Sequence, residues 1–351
     1  MNKFILILFT LVLFLTGCAE VPDNVKTNNK ADESSENPDS SEKYISVEDM
    51  LAKTEDVYNN DYGQIKLADG LDLDYSDVTE LYSYTLNYEE WDKDNFDKVV
   101  KFFQAHDMYT VTEETDCGTA IDGDWVQYSD SSGTRITFDY RGFTAINLGS
   151  ITSDSCIVDS FNYGDEKCSQ KYPLFNGDYS FEEVNSFLKS YIDDWAEIDG
   201  DLPFEPAEIF VWELENGKCF YEIYYAKAAD GIKFNYQLSS MLKNSDYMYL
   251  NILVSTYGEI MFWSNNNGVF NVEKGEKLEG SFVSLDGALK MLQKKFTPYS
   301  DFTVYEAVLS YEMVYDKSTD CYKTIPCWKF NLDDNSTRDE YTHRLVKNVF
   351  C

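Results

Sequence analysis

Apolar and polar positions mark two segments with helical spacing, each followed by long runs with the two-residue period of strands. In YSFEEVNSFLKSYIDDW, the residues Phe181, Val184, Leu188, Ile192 and Trp195 fall on one helical face. In VSLDGALKMLQKKF, Leu285, Ala288, Leu289, Leu292 and Phe296 do the same, and Pro298 supplies a stop. Ser180 and Ser284 stand where an N-cap is needed, and Glu183 completes a capping box for the first. The two serines are 104 positions apart. Recurrence at one offset predicts two related units.

Strand-like sequence follows each helix: EIFVWELENGKCFYEIYYAK after the first, FTVYEAVLSYEMVYDKSTDCYKTIPCWKFNL after the second. Glu215-Asn216-Gly217 and Lys317-Ser318-Thr319 supply the turns, so both are long hairpins. YMYLNILVSTYGEIMFWS adds a hairpin turning at Tyr257-Gly258, and SNNNGVFNVEKGEKLEGS reads as a break with a boundary near Glu276. Upstream, helices are expected in SVEDMLAKTEDVY from Ser46 and NFDKVVKFFQAH from Asn95. Strands joined at Ser131-Ser132-Gly133 are expected in WVQYSDSSGTRITFDYRGFTAINLG. The fold expected is α+β, with repeated antiparallel sheets of long hairpins, each packed with an amphipathic helix. The predicted domains are 46–165, 175–275 and 280–351.

The first residues, MNKFILILFTLVLFLTGCAE, carry Lys3 ahead of an apolar run from Phe4 to Leu15 that is short for a bilayer span. A secretory signal over 1–17 accounts for it, with a buried core helix as the alternative. Leu15-Thr16-Gly17-Cys18 resembles the bacterial lipobox. That resemblance implies cleavage before Cys18, attachment of a diacylglycerol to its sulfur, and retention at the membrane by acyl chains. Residues 18–45 hold that cysteine and a polar, acidic stretch lacking aromatics as far as Lys43, read as a disordered tether. As a flexible coil it reaches roughly 25–30 Å. The expected location is the extracytoplasmic face of a bacterial membrane.

Composition narrows the partners. With 63 acidic against 29 basic residues the formal net charge is -34, which argues against nucleic acid as a ligand and favours cationic partners. Hydrophobic residues at 43% and aromatics at 16% exclude general disorder.

Candidate chemistry is thin. Apart from Cys18 there are seven cysteines: Cys117, Cys156, Cys168, Cys219, Cys321, Cys327 and Cys351. Cys321 and Cys327 lie six apart on one expected strand, about 20 Å at normal rise, too far to bridge each other. Buried thiols with a single disulfide at most are expected, and His106 and His343 offer little to a zinc site. Ser186 with Lys189, and Ser240 with Lys243, match Ser-x-x-Lys, but the companion motifs of penicillin-binding enzymes are absent. Asp199, Asp201 and Glu205, next to Asp193, Asp194 and Glu197, are weak calcium candidates. Asp69, Asp72, Asp74 and Asp77 are a second set, and in both cases a solvated acidic turn is the competing reading. Tyr221, Tyr224 and Tyr225 could present a binding surface, or be core on one face and a half-exposed belt on the other. No catalytic residue, resident metal or cofactor is expected.

The last repeat, with SLDGALKMLQKKF, VLSYEMVY and the Pro326-Cys327-Trp328 strand, resembles the PepSY and YycI/YycH-like domains of Firmicute envelope proteins. Asp230-Gly231-Ile232 is similar to a glycine turn of two-repeat lipoproteins of this kind, so the resemblance covers roughly residues 180 to 351. It implies a helix opening with Ser, a hairpin ending in Pro-x-Trp, and a protein that binds and restrains other envelope proteins. Ser180, Ser284, Pro326 and Trp328 are thus structural positions, with Trp328 expected in the core against Leu289 and Leu292. The function expected is a membrane-tethered lipoprotein, held by Cys18, that binds an envelope protein or peptide without catalysis. An extracellular carboxylate-dependent hydrolase acting on cell-wall or peptide substrates is the alternative. A solute receptor fits less well, since the rhythm of two α/β lobes is missing.

Overall fold

The computed structural model describes residues 54–68, 78, 80–89, 93–108, 113–120, 123–129, 134–139, 144–147, 154–200, 202–234, 249–265, 269–278, 282–296, 302–334 and 349–350. The expected signal and tether, Cys18, Ser46, Asp201, the Asp69–Asp77 set, Ser240, Lys243, Pro298, His343 and Cys351 lie outside these residues.

After a 3-10 turn at Thr54–Asn59 come β1 (Ile65–Leu67), β2 (Tyr82–Glu89) and helix α1 (Lys93–Ala105). Then follow β3 (Glu113–Ala120), β4 (Gly123–Ser129), β5 (Arg135–Asp139), β6 (Thr144–Asn147) and β7 (Ser155–Asn162). A small hairpin, β8 (Lys171–Leu174) and β9 (Gly177–Ser180), leads into α2 (Phe181–Ile198). Next are β10 (Phe204–Leu214), β11 (Cys219–Ala229), β12 (Ile232–Phe234), β13 (Tyr249–Val254), β14 (Phe262–Asn265) and β15 (Val269–Lys277). The chain closes with α3 (Leu285–Phe296), β16 (Phe302–Asp316), β17 (Cys321–Asp334) and β18 (Val349–Phe350).

Among the described residues, the main path of one sheet runs β15-β2-β17-β16-β12-β11-β13-β14-β6-β5-β4-β3. β10 and then β7 extend from β11, while β1 and β18 attach to β16 and β17. Among the described residues the parallel pairings are those of β1 and β12 with β16. The fold is therefore α+β, a many-stranded and mostly antiparallel sheet with helices packed against it.

Two apolar cores form on this sheet. The first collects Val99, Phe102 and Phe103 of α1, the apolar face of α2, and inward residues of β10, β11, β13 and β14. The second collects Leu285, Ala288, Leu289 and Leu292 of α3 with β16 and β17, and also Val57, Ile65, Tyr84 and Leu86 from the start of the chain. Segment 46–165 thus serves both cores: β2 pairs with β15 and β17, whereas α1 and β5–β6 join the first core. The stretch read as a break, Val269–Lys277, is the strand that pairs with β2.

Local chemistry sets the element ends. Ser180 Oγ accepts from the Glu183 N–H at 3.3 Å and Glu183 Oε2 accepts from the Ser180 N–H at 2.8 Å, a complete capping box. Ser284 Oγ accepts from the Gly287 N–H at 3.0 Å and caps α3 in the same way. Phe181, Val184, Leu188, Ile192 and Trp195 of α2 are all buried. Each contributes about 1.5–3 kcal/mol by leaving water. The β10–β11 hairpin turns through Gly217, whose φ of +73° suits a residue without a Cβ. Asp230 (φ +51°) and Gly231 (φ +78°) make the paired left-handed turn that joins β11 to β12. The Asp230 carboxylate accepts from Tyr84 Oη, and from Lys274 Nζ at 2.8 Å, so the end of β11 is tied to β2 and β15.

Pro326 stands opposite Tyr311 of β16, between the parts of β17 paired with β2 (Tyr322–Lys323) and with β18 (Lys329–Phe330). Among the described residues no second strand is paired with β17 at Pro326, which suits a residue without an N–H. Trp328 is 1% exposed, and its Nε1 donates to the Val283 carbonyl at 2.9 Å, just ahead of the α3 cap.

Candidate functional site: the outward face of the β10–β11–β13 sheet

β11 presents two faces of opposite character. Tyr221, Ile223 and Tyr225 point into the first core, where Tyr221 Oη donates to the Tyr179 carbonyl at 3.0 Å and Tyr225 Oη donates to Asn185 Oδ1 at 2.9 Å. Between them, Glu222 and Tyr224 face the other way and are half-buried. Of the tyrosine trio, two are core and one belongs to a half-exposed belt.

Glu222 is the centre of that belt. Its Oε2 accepts from Trp212 Nε1 at 2.8 Å, and its Oε1 accepts from Tyr224 Oη at 2.8 Å and Asn251 Nδ2 at 3.3 Å. Indole and amide nitrogens only donate, so both carboxylate oxygens act as acceptors. The register sets the donors and rings in place: Phe210 lies opposite Glu222, Trp212 opposite Phe220, and Asn251 opposite Tyr224. Trp212 stacks on Phe220 with centroids 5.9 Å apart and planes within 2°. Tyr224 meets Phe210 edge-on at 5.9 Å and Tyr249 at 5.1 Å. Burial, with the Glu222 carboxylate adding to it, pushes the Tyr224 hydroxyl well above the usual phenol value, so it stays a donor. Among the described residues, the donors to Glu222 are neutral and no cationic side chain pairs with it.

The candidates raised by the sequence are used otherwise. Asp199 is the C-cap of α2 and fully buried; Lys227 Nζ lies 3.2 Å from its Oδ1 and donates to its carbonyl at 2.6 Å. A helix that ends in acidic residues places negative charge where the macrodipole is already negative, and the Lys227 ammonium offsets both. Glu205 is half-buried on β10 opposite Ala226. Among the described residues no group of three or more His, Cys, Asp or Glu side chains is arranged to hold a metal. Ser186 Oγ donates back to the Glu182 carbonyl at 2.8 Å, and Lys189 pairs with Asp193 at 3.0 Å, so the Ser-x-x-Lys pair is not engaged. His106 packs on Tyr191, with centroids 4.5 Å apart, and its Nε2 lies 3.0 Å from Asp194 Oδ2, which links α1 to α2. Cys168, Cys219, Cys321 and Cys327 are buried, and Cys156 is exposed.

Glu222, Trp212 and Asn251 were not singled out from sequence. One signal did exist: the hairpin turn at Gly217 dictates that Trp212 faces Phe220 and that Glu222 lies between the rings of Phe220 and Tyr224 on one face. Asn251 arrives from a strand with no local link to that turn.

No family model matches the chain, and no curated protein matches it. Among solved structures it is similar to an uncharacterized protein from Eubacterium rectale ATCC 33656, with a TM-score of 0.55 and 14% identity, covering 78% of this chain and 82% of that chain. At that identity the likeness concerns the fold alone.

Proposed function

We propose that the chain is a lipoprotein, anchored through Cys18 at the extracytoplasmic face of a bacterial membrane, that acts by binding an envelope protein or peptide on its outward sheet face. The observation that carries this reading is the Glu222 carboxylate, fixed by three neutral donors within a frame of half-buried aromatic rings. Such a surface holds a ligand through rigid rings and one oriented charge. Two helix-plus-hairpin units, capped by Ser180 and Ser284 and ending in comparable long hairpins, support reading them as repeats of PepSY and YycI/YycH-like type.

The carboxylate-dependent hydrolase has one observation in its favour. Glu208, opposite Tyr224, lies diagonally across from Glu222 on the same face. Both Glu222 oxygens already accept hydrogen bonds, however, which suits an electrostatic fixture better than a proton donor.

A photo-crosslinking amino acid placed at position 210 of the full chain in cells should yield an adduct with a membrane or secreted protein. The same probe at exposed Lys189 should not, and Cys18→Ala should abolish acyl labelling. No adduct at 210, together with turnover of a wall glycan or peptide that collapses in Glu222→Gln, would replace the binding module with the hydrolase.

A further inference from the structure

The outward face carries a finer statement about its ligand, which rests on the reading of that face as a binding surface. A carboxylate offers about four acceptor positions, two on each oxygen. At Glu222, Tyr224 and Asn251 fill both positions on Oε1, and Trp212 fills one on Oε2. One position remains, on Oε2, and the charge has no cationic partner among the described residues. On the same face, half-buried, stand Trp212, which bonds Oε2, Phe210 opposite Glu222, and Tyr224 with Tyr249 against it, and ring faces attract cations.

We infer that this face receives the primary ammonium of a single lysine side chain from a partner protein or peptide, at the open position of Glu222 Oε2. Charge complementarity selects a cation, and the acceptor count selects which one. An arginine fork pairs with a carboxylate best by reaching both oxygens at once, and Oε1 is already full. An ammonium is a compact donor that needs one position and seats its methylene stem along aromatic rings. The whole chain, with a net charge of -34, would speed the encounter, while Glu222 would decide where the lysine lodges.

The test uses full-length chain in detergent micelles, labelled with 5-fluorotryptophan. Trp212 is the reporter, since its indole N–H bonds Glu222, and its fluorine signal is assigned from Trp212→Phe. The probes are acetyl-Ala-Ala-Lys-Ala-Ala-amide and the same peptide with arginine, norleucine or glutamate at the centre. The lysine peptide should shift the Trp212 signal saturably, at about tenfold lower concentration than norleucine, as expected for one charged hydrogen bond. It should also bind more tightly than the arginine peptide and weaken as salt rises. Glutamate should bind worst.

Glu222→Gln should erase the preference for lysine over norleucine, while Glu182→Gln on the exposed face of α2 should leave it intact. Equal binding of lysine and norleucine peptides, a lysine preference that survives Glu222→Gln, or no shift with any peptide would overturn the inference. If Glu222→Gln does not fold, the comparison among the four peptides on the unaltered chain decides alone. The underlying reading fails separately: adducts at position 210 without lysine preference leave a binding surface of other chemistry, whereas lysine preference without adducts removes the protein partner.

Discussion

α2 is pinned at its C-terminus and α3 at its N-terminus, although each lies on a long hairpin that follows it in sequence. At α2 the tie is Lys227, 3.2 Å from the Asp199 carboxylate and fully buried with it. At α3 the ties are Trp328, donating to the Val283 carbonyl, and Tyr62 and Asn60, each donating to Asp286 at 2.9 Å. At that end α2 is held by Lys227 of β11, by Asn265 of β14, whose Nδ2 donates to Asp199 Oδ2 at 3.4 Å, and by His106, just after α1, beside Asp194. α3 instead depends in part on residues more than 200 positions earlier. Similar helix-plus-hairpin patterns therefore differ in how much non-local chain they need.

The largest test of this contrast is the buried ion pair. Lys227→Ala leaves the Asp199 carboxylate buried without its counter-charge and should cost about 3–5 kcal/mol in urea unfolding. A cost below about 1 kcal/mol would mean that water reaches the pair and that α2 is not held there.

The two helix-facing tryptophans give the next comparison. Trp195 is fully buried and its Nε1 has no acceptor among the described residues, whereas Trp328 donates to Val283. Replacing either with Phe loses packing, but Trp328→Phe also strands a carbonyl. It should therefore cost about 1 kcal/mol more than Trp195→Phe. Equal costs would remove Trp328 from the ties at the N-terminus of α3.

Acid separates the cores in a third way. Burial alone would raise Asp159, but hydrogen bonds from Lys167 and Tyr172 outweigh it and hold the carboxyl below its ordinary value of 3.8. Asp286 is held below 3.8 in the same manner by Lys290 and Tyr62, again against burial. Because both folded values are depressed, their stabilisation is full above the ordinary aspartate value and is lost as pH falls through the lower folded one. Asp159→Asn and Asp286→Asn should each lower stability at neutral pH and flatten its decline in acid. Since their partners Tyr172 and Tyr62 belong to different cores, the two losses should add; clear non-additivity in the double variant would show the cores to be coupled.

The smallest effects belong to the outward faces. Tyr224→Phe removes one donor from Glu222 and should cost about 1 kcal/mol. Ile325, 52% exposed on β17, should tolerate threonine within about 0.5 kcal/mol in thermal unfolding. A larger loss at Ile325 would identify that face as covered.

Local order was written in the sequence by itself. Ser180, Glu183 and Ser284 name the helix starts because side-chain capping acts over three residues. Gly217 and Asp230-Gly231 name turns because left-handed backbone selects few residue types. Apolar spacing names the buried side of α2 and, through the hairpin register, even the side of β11 on which Glu222 stands. Tertiary structure alone decided that β2 would join β15 and β17 rather than its neighbours in sequence, that Asn251 would meet Glu222, and that Asp199 would answer Lys227 instead of facing solvent. Strand pairing uses the same backbone groups whatever the side chains, so a period-two pattern says that a strand will pair but not with which distant strand. That choice is made by burial summed over a whole core, and no short window of sequence contains the sum.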